Sequence, residues 1–81
     1  MIKFKLLSKT SGVGKTSGKA WYRVYLRADD NGESVIKDFF VSETVWNDMN
    51  KNGVSVDDSV YVTCALDGKL HFIIEMIEKA E

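Results

Sequence analysis

Between Lys19 and Ala28 the chain reads KAWYRVYLRA, a stretch with a period of two. Ala20, Tyr22, Val24, Leu26 and Ala28 fall on one side of an extended strand, and Lys19, Trp21, Arg23, Tyr25 and Arg27 on the other. The first set suits an interior. The second alternates aromatic rings with cations, which no core would accept. A chain that contains this strand needs a sheet with one covered face and one wet face.

The segments around it follow the same logic. Ile2 to Leu6 alternates apolar and basic residues, the pattern of a half-buried first strand. The glycine-rich stretch Ser11–Lys19 follows as a loop, expected to be mobile because Val13 is its only bulky apolar residue. Lys19–Ala28 is the second strand. The Asn31-Gly32 pair closes a tight turn into a third strand, Ser34–Val41, so strands two and three form a hairpin. Ser42 is placed to cap a helix from Glu43 to about Asn52, with Val45, Trp46 and Met49 as its buried stripe and Gly53 as its stop. Val60–Leu66 and Leu70–Ile77 read as two more strands joined by Asp67-Gly68.

The resulting order, β-β-β-α-β-β, is that of the OB-fold, a five-stranded barrel with one short helix between strands three and four. An SH3-like small barrel is the competing fold, but it usually lacks so well capped a helix at this point. The expectation is therefore a mainly β, single OB-fold domain over residues 1–81. In it Trp46 plugs one barrel end, and Cys64 packs as a small core hydrophobe beside Val60, Val62 and Leu66. The third strand carries adjacent phenylalanines, only one of which can face inward. Electrostatics favours Val35, Lys37 and Phe39 outside and Phe40 inside, since the other choice sets Asp38 on the basic face.

Length and composition narrow the classes. At 81 residues the chain sits near the lower limit for one self-sufficient core. It has no proline, no 18-residue apolar run and no leader pattern, so neither a membrane span nor a secretory signal is expected. Its single cysteine cannot form an internal disulfide or a cysteine-based zinc site, and fits a reducing cytoplasm. "SGVGKTSGK", Ser11–Lys19, resembles a phosphate-binding loop only in Gly14-Lys15-Thr16. The first glycine of that pattern would fall at Lys9, and a strand follows where a helix is needed.

Charge supplies the functional lead. Met1 to Arg27 holds seven cations and no acid, +7, while four lysines against twelve acids from Ala28 onward give −8; together they make the net −1. Such a division suggests a polyanion-binding face on a small domain. Rings that stack on bases, interleaved with cations that meet phosphates, fit single-stranded nucleic acid. The candidate binding residues are Lys3, Lys5, Lys15, Lys19, Trp21, Arg23, Tyr25, Arg27, Lys37 and Phe39, with Trp21 and Tyr25 as platforms for successive bases. The alternative for the strand is that Arg23 and Arg27 merely cover the rings by cation–π contact. Catalysis has little support: His71 is the sole histidine and reads as a surface residue, and Asp29, Asp30 and Glu33 suit a turn. No enzyme activity, metal or cofactor is expected.

The MIK start, the loop and strand "SGVGKTSGKAWYRVYL", and the C-terminal hairpin "SVYVTCALDGKLHFIIEMIE" resemble the small single-stranded-DNA-binding proteins of bacteriophages and mobile elements, the gene V type being nearest in length and layout. "FFVSETVW" is similar to the junction from third strand to helix in bacterial single-stranded-DNA-binding domains. The resemblance implies cooperative coating of single strands, a homodimer in the gene V case, and a role in replication or packaging. Two features depart from it. The gene V type has a long hairpin where this chain has a helix, and the acidic C-terminal tail of the bacterial proteins is reduced here to Glu75, Glu78 and Glu81. Non-sequence-specific binding of single-stranded DNA is the leading expectation; an OB-type RNA-binding domain and a protein-interaction barrel are the alternatives.

Overall fold

Two antiparallel units hang from one long first strand. The computed structural model describes residues 3–80; Ile2, expected in the first strand, and Glu81 lie outside them. The elements are β1 (Lys3–Val13), β2 (Ala20–Asp30), β3 (Glu33–Val41), α1 (Glu43–Lys51), β4 (Ser59–Leu66) and β5 (Phe72–Lys79). They form a five-stranded antiparallel sheet in the order β3-β2-β1-β4-β5. β1 joins the two units: it pairs with β2 along most of its length and with β4 only through Lys3–Lys5 against Ser59–Tyr61. β3 and β5 are edges, so the sheet is open between them.

Turn chemistry sets the register. Asn31 and Gly32 both have left-handed backbones, with φ of 51° and 82°, the pair that a two-residue hairpin turn requires. From Asp30 opposite Glu33, each step along β2 is matched by one along β3, so Ala28, Leu26 and Val24 lie against Val35, Lys37 and Phe39. One bulge, at Leu7, keeps both Leu6 and Lys9 on the covered face of β1.

The core gathers on that face. Leu6, Val24, Met49, Val54 and Val60 are fully enclosed. α1 closes one end, its Ser42 hydroxyl accepting from the Val45 amide at 3.2 Å and Gly53 following in the left-handed conformation. Val45 and Met49 are buried, while Trp46 is half-buried on Tyr22 with ring centres 5.2 Å apart. The Lys9 ammonium lies 5.4 Å above the indole and donates to the Val54 carbonyl and the Asn50 side chain, which fixes the seam between sheet and helix.

Four expectations are corrected. β1 runs on through Val13, so the first third of the expected Ser11–Lys19 loop is strand, and the loop proper is closed by the Gly14 amide donating to the Lys19 carbonyl at 2.9 Å. Asp67-Gly68 does not make a two-residue turn: Asp67 accepts from the amides of Lys69 and His71 through one side-chain oxygen, and Leu70 turns left-handed at φ 63° outside β5. Cys64 is exposed rather than core, because the sheet leaves its covered face open at this end. In β3 the faces are reversed. Val35, Lys37 and Phe39 point to the covered side and Ile36, Asp38 and Phe40 to the outer side, because the hairpin register ties Phe39 to Val24.

Candidate nucleic-acid interface

The outer face of the sheet is built around β2. Trp21, Arg23, Tyr25 and Arg27 share it, as their alternation requires, and the register brings Phe40 and Asp38 of β3 alongside. Arg23 is the centre. Its guanidinium carbon lies 5.7 Å from the Trp21 ring, 5.2 Å from Tyr25 and 5.9 Å from Phe40, within cation–π range of all three. Trp21 meets Phe40 edge to face, with ring centres 6.4 Å apart. Phe40 is 67% exposed, an uncommon position for a phenylalanine. A shallow depression of about 150 Å³ opens between Trp21, Arg23 and Phe40.

Gly12 explains why the neighbouring strand is glycine-bearing. It lies opposite Trp21, and a Cβ at Gly12 would fall 2.6 Å from the indole Cζ2. The indole rests directly on the β1 backbone, where only glycine fits. Gly18 serves differently: its φ of 66° turns the loop between β1 and β2.

The cations are distributed rather than clustered. Lys15 and Lys19 stand exposed on the loop at the Trp21 end. Lys5 is opposite Arg27 and Lys3 opposite Tyr61 toward the other end. Two carboxylates share the face: Asp38 lies 3.8 Å from Arg23 and Asp29 3.5 Å from Arg27. Both pairs are partly exposed, so each holds its arginine loosely. Among the described residues the Nε atoms of both arginines and the Thr10 hydroxyl are buried without a hydrogen-bond partner; the rings around it orient Arg23, and the Asp29 carboxylate lies nearest the Nε of Arg27.

Of the ten residues anticipated, eight lie on this face or on its loop; Lys37 and Phe39 do not. They face an open apolar groove of about 260 Å³ on the covered side, lined also by Phe4, Leu26, Val62 and Ile74. Nor do Trp21 and Tyr25 make adjacent platforms: four strand steps set their Cα atoms roughly 13 Å apart at the usual strand rise, with Arg23 between. Phe40 is the neighbour of Trp21. It was legible in principle, since the Asn31-Gly32 turn sets the phase of β3. Among the described residues no three His, Cys, Asp or Glu side chains converge to hold a metal ion, and no helix is long and apolar enough to cross a membrane. No protein-family model matches the chain, and no curated protein or solved structure matches it either.

Proposed function

We propose that this protein binds single-stranded DNA without sequence preference through the outer face of β1–β3, with the β1–β2 loop contributing charge. The observation that carries the reading is the set of three rings around Arg23, with Phe40 exposed and Trp21 and Tyr25 half-buried on the outer face. A base stacks on the face of Phe40 or of Trp21, whose planes are perpendicular, and a neighbouring phosphate meets Arg23, Lys15 or Lys19. Hydrogen-bond readout of base edges plays little part, since rings and cations accept any base. The element order, with β1 paired to both hairpins, suits an OB-type barrel opened between β3 and β5. In this reading the protein coats single strands during replication or transfer of a genome.

The test is a titration of labelled oligo-dT, oligo-rU and duplex DNA at two salt concentrations. Oligo-dT should bind tighter than duplex, with log affinity falling by about 0.7 per phosphate neutralised for each decade of salt. Trp21→Ala should weaken binding by roughly 1–3 kcal/mol. Equal affinity for duplex and single strand, or an affinity indifferent to salt, sinks the proposal. Preference for oligo-rU would move it to RNA.

A further inference from the structure

β3 is hydrogen-bonded to β2 along one side only, and no strand pairs with the other side among the described residues. Its covered-face side chains, Val35, Lys37 and Phe39, line the 260 Å³ groove. Among the described residues Lys37 is the only charged one there, at the midpoint of the strand, with its ammonium 5.6 Å from the Phe39 ring. It belongs to no ion pair among the described residues.

We propose that this edge takes an extended peptide as an added strand, with apolar side chains entering the groove and one carboxylate facing Lys37. Three considerations select this occupant. A free edge offers backbone donors and acceptors at strand spacing, and an incoming strand satisfies them while its alternate side chains meet the groove. The groove is apolar apart from one cation, so the guest must be apolar there apart from one anion. A second copy paired through β3 about its midpoint would set Lys37 against Lys37, directly opposed like charges that disfavour pairing. A carboxylate in the same position sits about 5 Å from Lys37 between Cβ atoms and reverses that sign. Among the described residues a nucleobase finds no strongly hydrogen-bonding side chain in the groove other than Lys37. The proposal stands apart from the DNA-binding reading, which uses the opposite face.

The experiment uses the full chain and a capped heptapeptide, Thr-Val-Thr-Glu-Thr-Val-Thr, whose Val, Glu and Val project to one side. Amide shifts are followed by NMR, and the alkylation rate of Cys64, which lines the groove, is followed in parallel. The peptide should shift the amides of β3 and slow Cys64 alkylation severalfold. A version with central Lys should bind at least tenfold more weakly, and Lys37→Glu should reverse that preference while leaving oligo-dT affinity within twofold. Methylating the peptide nitrogens that face β3 should abolish binding. No binding by either peptide, equal binding of both, or a preference unchanged in Lys37→Glu overturns the proposal. So does protection of Cys64 by oligo-dT, which would give the groove to nucleic acid. Self-association of Lys37→Leu without peptide binding by the native chain also overturns it, leaving Lys37 as the charge that keeps two β3 edges apart.

Discussion

At the scale of residues, the outer face depends on one missing side chain. Trp21 packs against Gly12 because Gly12 has no Cβ. Gly12→Ala should therefore lift the indole, shift its emission and weaken oligo-dT binding, while stability changes by about 1 kcal/mol or less because the ring can move into solvent. Fluorescence of a variant retaining only Trp21, together with a melt, checks this; unchanged emission would mean that the ring does not rest on Gly12. Asp38 gives the opposite test. Its carboxylate competes with phosphate for Arg23 at 3.8 Å, so Asp38→Asn should tighten oligo-dT binding several-fold at low salt, and less at high salt as screening grows. Weaker binding in Asp38→Asn would mean that the carboxylate positions Arg23 for its ligand instead of competing with it. The alternation of β2 was readable from the sequence because one face was chemically impossible to bury. Trp21's seat on Gly12 was not, since it depends on a residue of another strand, although a glycine within a strand is a recognised sign of close approach.

At the scale of elements, legibility followed local chemistry. The α1 boundaries were readable because Ser42 and Gly53 act within one turn of the helix. Ser42→Ala should cost about 1 kcal/mol, and Met49→Ala, which empties a fully enclosed site, about 2–5 kcal/mol. Denaturant unfolding of both variants checks the order; a costlier cap than core residue would contradict the packing described here. β3 was misread where electrostatics was weighed against register. Asp38 on the basic face looks unfavourable, but its cost at a partly exposed ion pair is small beside that of turning Phe39 out of the core. The β4–β5 connection was misread because Asp-Gly suits a two-residue turn, whereas the Asp67 side chain here holds two amides of a five-residue one.

At the scale of the molecule, the β1–β4 seam is short. Its ladder is Lys3–Lys5 against Ser59–Tyr61, extended by the Leu6 amide to the Asp58 carbonyl at 3.0 Å and the Asp57 amide to the Leu6 carbonyl at 2.7 Å. Both hairpins, by contrast, close over sequence-local contacts. Local pairs form early because little loop entropy is lost in making them, and the distant seam follows. The protein should thus behave as two cooperative units whose junction opens first. Native-state hydrogen exchange should find the amides of Phe4 and Leu6, which face β4, exchanging at a lower opening free energy than that of Val24. Uniform protection across all three would make the sheet a single cooperative unit. The seam also joins the basic stretch of the chain to the acidic one, so the order of assembly is an order of charge: a cationic meander forms first and meets its counterweight last. Until the seam closes, the cations of residues 3–27 are opposed only by the few acids of the first three strands. A polyanion present during folding can then engage the meander before the second hairpin docks, so the same ligand can act on the pathway as well as on the product.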